Sequence, residues 1–196
     1  MDPSHPLSTV TYCIRRDVSS SRGCATATTG GSEFATSLSD LLPREAIRLD
    51  VRAHDWRAAI RASGDALVAA GATSAGYSDE MIATVEQFGP YIVIAPGIAL
   101  AHSRPSPAVF RPGLSVVVLA EPVEFGHAVN DPVRLIVGLA APDDQGHVEA
   151  LATLAGLLSD EPSRAALLSA RNADEVRAVI AAHELRSGSP AGQAEG

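Results

Sequence analysis

Between residues 55 and 71 the apolar positions fall on one helical face. Trp56, Ala59, Ile60, Ser63, Leu67 and Ala70 stand at i, i+3, i+4, i+7, i+11 and i+14, a spacing that predicts an amphipathic helix. Asp55 is placed to accept a hydrogen bond from the unpaired amides at its start, and Gly71 follows its end. A second helix is predicted over Asp79–Phe88, capped by Ser78, burying Met81, Ile82, Val85 and Phe88, and stopped by Gly89 and Pro90. Then the rhythm changes. YIVIA, GIALAH, LSVVVL and VRLIVGLA are short runs rich in β-branched residues and separated by Pro and Gly, which read as strands buried on at least one face. A short apolar stretch, Ile47–Val51, precedes the first helix. Helical spacing returns in Val148, Leu151, Leu154, Ala155 and Leu158, around Ala165 to Leu168, and near Val176, Val179 and Ile180.

Helices on either side of a strand-rich middle predict an α/β fold: a central mixed sheet of about five strands with helices on both faces, in a single domain. Residues 1–37 are rich in Ser, Thr and Gly, lack either periodicity, and are expected to form a disordered extension. Residues 38–186 are expected to form the folded domain, a common domain size. Residues 187–196 have the composition of a loose tail.

Charge narrows the function classes. The 196-residue chain carries a formal net charge of -8, and its 15 basic side chains are all Arg without a cluster. It therefore lacks the footprint that a phosphate backbone requires, and nucleic acid is not an expected partner. An acidic surface favours encounter with a basic protein. Cys13 and Cys24 lie in the polar N-terminal stretch, where a disulfide would tie nothing to the core. No apolar run reaches the length of a signal-peptide core or a membrane span, so neither membrane insertion nor export is expected, and the cytoplasm is the expected location.

The candidate chemistry lies in the histidines. His102 ends the run GIALAH just before Ser103, Arg104 and Pro105, so a strand would deliver its imidazole to a loop mouth. A neutral imidazole is a competent nucleophile towards an activated phosphoryl group. Spacing alone favours a strand-end histidine bonded to backbone over a catalytic one. His147 follows PDDQG and opens the next helix, where unpaired amides favour an anion and disfavour imidazolium; an ordinary capping histidine fits there too. His127, in EFGHAVNDPV, reads as a turn residue with local hydrogen bonds.

The segments YIVIAPGIALAHSRP and FGHAVNDPVRLIVGLAAPDDQGHVEAL, with IRLDVRAHDWRAAI and VEQFGPY upstream, resemble the ascorbate-type enzyme IIA components of the phosphoenolpyruvate-dependent sugar phosphotransferase system, within the mannitol/fructose enzyme IIA superfamily. The likeness spans nearly the whole expected domain. It implies that His102 accepts a phosphoryl group from the histidine phosphocarrier protein and passes it to a cysteine of enzyme IIB, which serves a membrane enzyme IIC. By motif position His147 is the second active-site histidine. Arg104 and Ser103 are further candidates for contacting phosphate or a partner. The resemblance implies neither a cofactor nor a metal, and a homodimer is left open. The chain has Ala101 where that family usually has proline before the phosphorylated histidine, which relaxes the local backbone.

Two other readings use the same residues. A regulatory enzyme IIA-like protein would use phosphorylation of His102 to change partner choice through the added negative charge. Alternatively, His102, His127 and His147 would be zinc ligands, which their residue types permit and their wide separation does not specifically favour.

Overall fold

The computed structural model describes residues 37–187. Apart from Ser37 and Ser187, the expected N-terminal extension and C-terminal tail lie outside the described residues, as do Cys13 and Cys24. Both boundary residues belong to the domain. Ser37 caps a short helix, α1 (Leu38–Leu41), that the polar composition around it concealed. Ser187 ends the last helix, α6 (Ala173–Ser187), where its hydroxyl meets the His183 ring.

Five strands form one mixed sheet: β1 (Ile47–Val51), β2 (Val93–Ala95), β3 (Ile98–His102), β4 (Gly113–Val123) and β5 (Val133–Ala140). Their order is β1-β4-β5-β3-β2, with β1 parallel to β4, β4 antiparallel to β5, β5 parallel to β3, and β3 antiparallel to β2. β4 continues well past LSVVVL. Its pairing with β1 ends at Leu119, and Pro122 falls in the stretch beyond, where a missing donor disturbs fewer ladder bonds.

Successive side chains in β3 alternate between two cores. Ala99 and Ala101 join the layer formed with α2 (Trp56–Ala69) and α3 (Gly76–Phe88), whereas Ile98 and Leu100 join the layer formed with α1, α4 (Asp144–Ser159), α5 (Glu161–Ser169) and α6. Helices thus cover both faces, as the pattern predicts. No helix among the described residues is long and apolar enough to cross a membrane.

α2 follows its predicted pattern. Asp55 Oδ1 accepts from the Ala58 N–H at 2.8 Å, and Gly71 follows with φ +69°, a conformation that costs a glycine little. α3 does not. It starts at Gly76 rather than Asp79, with Ala75 at the N-cap and no side-chain cap. Ser78 is buried in its first turn, so close to α2 that a Cβ on Gly64 would lie 1.9 Å from the Ser78 hydroxyl. Tight packing of two helices outranks capping there. Phe88, expected in the core, is 58% exposed. In α4, Val148 and Ala155 face outward, and Leu157 joins Leu154 and Leu158 inside.

At Gly138, α2 packs tightly on the sheet. This glycine pairs with Ala101 and Ser115, and an added Cβ would lie 2.4 Å from the Ser63 hydroxyl and 2.3 Å from that of Ser115. Those buried hydroxyls are 2.9 Å apart, and Ser115 also donates to the Ser63 carbonyl at 3.0 Å. Gly138→Ala must separate them, and the expected loss is about 1–3 kcal/mol. Urea unfolding measures it; an unchanged midpoint would mean that helix and sheet have slack at this contact.

Candidate functional site

Parallel neighbours end at the same edge of a sheet. β3 and β5 therefore stop together, with His102 paired to Leu139 one residue before β5 ends at Ala140. In open α/β sheets, the loops diverging from such carboxyl ends build the ligand sites. After β5 the chain turns within a few residues into α4, which carries His147 back to that edge.

The two imidazoles meet there, with ring centroids 5.4 Å apart. His102 Nδ1 lies 2.9 Å from the Leu100 carbonyl oxygen. A carbonyl only accepts, so Nδ1 carries the hydrogen and Nε2 is the unprotonated nitrogen. Tyr91 packs edge-on against the His102 ring at 5.6 Å, and Phe88 packs edge-on against Tyr91 at 6.4 Å. The His102 ring is therefore held by one hydrogen bond and two ring contacts. Ala101 is fully buried and paired to Gly138, so a side-chain hydrogen bond fixes the imidazole where the resembling family usually has a proline.

An open cavity of about 430 Å³ lies over these rings, lined by Thr84, Phe88, Tyr91, His102, Ser103, Arg104 and His147. The structure thus brings together His102, His147, Ser103 and Arg104, all four residues singled out from the sequence. Arg104 is exposed, and its charge opposes the burial that raises the Tyr91 phenol. Ser103 is held from below: its hydroxyl lies 3.2 Å from that of Thr84, and its N–H donates to the Tyr77 hydroxyl at 3.1 Å.

His147 differs from the sequence expectation in one respect. Its N–H donates to the Asp143 carbonyl at 3.1 Å, and Asp143 Oδ1 accepts from the Gly146 N–H at 2.8 Å. A carboxylate therefore already caps this helix end, with Asp144 beside it. The His147 side chain, more than the amides of the first turn, is what α4 offers to the cavity. Its Nδ1 is buried without a hydrogen-bond partner among the described residues.

Burial lowers the pKa of both imidazoles. For His102, desolvation dominates, the Leu100 carbonyl opposes it, and repulsion from His147 adds to it. For His147, desolvation outweighs the attraction of Asp144. Both rings are neutral at neutral pH.

His127 stands apart from this chemistry. Its Nδ1 accepts from the Val129 and Asn130 N–H groups, and its own N–H donates to Asp131, which is the turn role its sequence context suggests. Among the described residues no three His, Cys, Asp or Glu side chains gather so as to hold a metal.

Sequence reading missed Tyr77, Thr84 and Tyr91 and misplaced Phe88. One signal was available: Thr84 and Phe88 stand at i and i+4 on the predicted helix, and a polar residue on that stripe marks a face not committed to the core.

The fold recurs in known proteins. Residues 40–183 match the family described as phosphoenolpyruvate-dependent sugar phosphotransferase system, EIIA 2. An ascorbate-specific PTS system EIIA component of Salmonella choleraesuis (strain SC-B67) is 40% identical over 141 residues, covering 71% of this chain and 92% of its own. The solution structure of the mannitol-specific cryptic phosphotransferase enzyme IIA from Escherichia coli aligns with a TM-score of 0.67 and 31% identity, over 74% of this chain and 98% of that one. The Escherichia coli complex of mannitol enzyme IIA with phosphorylated mannitol enzyme IIB aligns with a TM-score of 0.64 and 27% identity, over 72% of this chain and 99% of the matched chain.

The lowered imidazole values give a titration test. NMR midpoints for both His102 and His147 should fall below the ordinary 6.5. Because the unfolded chain then binds more protons than the folded one, these two rings contribute stability above pH 6.5 that is lost as pH falls from there through their folded midpoints. Midpoints at or above 6.5 would contradict the burial.

Proposed function

The chain belongs to the EIIA 2 family of the phosphoenolpyruvate-dependent sugar phosphotransferase system, and from that premise we propose that it carries a phosphoryl group on Nε2 of His102. The donor is the phosphohistidine of the histidine phosphocarrier protein, and the acceptor is a cysteine of enzyme IIB serving a membrane enzyme IIC. Ascorbate is the sugar suggested by the 40%-identical relative. Residues 37–187 form the carrier domain, working in the cytoplasm. One observation carries this reading: His102 has its Nδ1 anchored on the Leu100 carbonyl and its ring beside His147 at an open cavity.

The lone pair on Nε2 attacks the phosphorus of the donor phosphohistidine. A new N–P bond forms as the old one breaks, and the leaving imidazole of the donor takes the electron pair. In the second transfer the thiolate of enzyme IIB attacks, an S–P bond forms, and Nε2 recovers its pair. Neither step needs a change of proton on Nδ1, whose hydrogen bond to Leu100 supports the positive charge that develops on the phosphorylated ring.

Such transfers depend mainly on in-line placement and on stabilising the equatorial oxygens. With its Nδ1 sealed, His147 has Nε2 left to donate a hydrogen bond to a phosphoryl oxygen. The Ser103 and Thr84 hydroxyls and the Arg104 guanidinium line the same space. The exposed faces of Phe88, Tyr91 and Val148 suit partners that must dock and leave in turn.

Reconstitution with phosphoenolpyruvate, enzyme I and the histidine phosphocarrier protein tests the proposal. Acid-labile phosphate should map to His102 and vanish in His102→Ala with the fold intact; labelling that persists in that variant refutes the assignment. His147→Ala should slow single-turnover acceptance by about 10- to 100-fold without abolishing it, and equal rates would remove its role.

Phosphorylation should also raise the His147 pKa, because a dianion beside the ring favours imidazolium. A downward shift of its NMR midpoint in the phosphorylated protein would place the phosphoryl group elsewhere.

A further inference from the structure

Resting on the role proposed for His102, we infer that Tyr77 is a positioning residue for phosphoryl transfer, its hydroxyl locking together the two chain segments that present His102 and His147. Tyr77 is not among the residues that line the cavity. It is fully buried on α3, and its hydroxyl donates to the Leu139 carbonyl at 2.8 Å while accepting from the Ser103 N–H at 3.1 Å. Burial pushes its pKa up to about 12, so the group remains a hydroxyl able to do both.

The position of these bonds gives them their significance. His102 and Leu139 form the last rung of the parallel ladder between β3 and β5. Beyond it the chains diverge, one into Ser103 and Arg104, the other towards α4 and His147. The Tyr77 hydroxyl bridges Ser103 and Leu139 where that ladder ends, and thereby fixes the spacing between acceptor and helper. Thr84, also on α3, adds a hydroxyl contact to Ser103, and Glu80 accepts from the Ser106 hydroxyl at 2.7 Å. Those two hold only the His102 side; Tyr77 holds both. A shift of about 1 Å at such a junction is enough to cost an in-line transfer as much as a hundredfold in rate.

Tyr77→Phe keeps the ring and deletes the bridge. In single-turnover transfer from the phosphorylated phosphocarrier protein, the maximal rate should fall about 10- to 100-fold. The half-saturating phosphocarrier concentration should stay within about twofold, since the docking surface is untouched. In the unphosphorylated parent, NOEs should connect the ring protons of His102 and His147, whose centroids are 5.4 Å apart, and in Tyr77→Phe they should weaken. An unchanged maximal rate in the folded variant, or His102–His147 ring contacts as strong as in the parent, overturns the inference. If the parent protein takes no phosphate on His102, the carrier role fails, while the ring-proton comparison still decides the positioning role. If Tyr77→Phe does not fold, hydrogen exchange in the parent decides: the Ser103 amide should exchange as slowly as the core strand amides, and rapid exchange overturns the bridge.

Discussion

The site depends on one pairing, that of β3 with β5 in parallel. Antiparallel neighbours would leave their carboxyl ends at opposite edges of the sheet, and His102 would end far from the start of α4. Parallel register instead sets His102 opposite Leu139, so the same edge receives a strand-borne imidazole and, a few residues later in the chain, a helix-borne one. Strand alternation completes the placement. Ile98 and Leu100 point into the layer covered by α4, and His102, two residues further along the same face, points towards His147.

The electrostatics of this edge are those of a site that avoids fixed charge. Both rings are held neutral by burial, the N-terminus of α4 is already capped by a carboxylate, and Arg104 supplies the permanent positive charge among the cavity-lining residues. A deep cluster of cations would bind a phosphoryl group tightly and slow its departure. A carrier, on the proposed reading, has to release what it accepts at comparable free energy. Neutral donors that sharpen only when the anion arrives suit that requirement, because a ring whose pKa rises beside phosphate responds to the charge instead of awaiting it.

Much of the fold was legible because its period is regular. The apolar spacing of α2, its Asp55 cap and its Gly71 end appear in the structure as they read in the chain, and the four runs from YIVIA to VRLIVGLA each contain a strand. The failures have a common physical origin in tertiary contact. Ser78 looked like a cap, but the absence of a side chain at Gly64 draws two helices together over it. Phe88 looked like core, yet it lies at the cavity rim with Tyr91. At the site, the histidines were legible because chemistry restricts which residue types can serve. Tyr77 was not, since it lies outside the helix read from the chain and carries no signal there until its hydroxyl is seen bridging two strand ends.

Ala101 shows how a local constraint can be moved without being lost. A proline before His102 would fix φ there and remove a donor; alanine does neither, and the strand continues through it in register with Gly138. Here the His102 imidazole is oriented through its own side chain, by Nδ1–H to the Leu100 carbonyl, with Tyr91 and His147 packed on the ring. Aiming a ring by hydrogen bond leaves the outcome to the carbonyl it uses, and Leu100 is two residues back in a strand buried in the sheet. The aim is therefore as rigid as β3 itself. What happens after the last rung falls to the contacts from α3, which is why residues outside the cavity bear on the geometry within it.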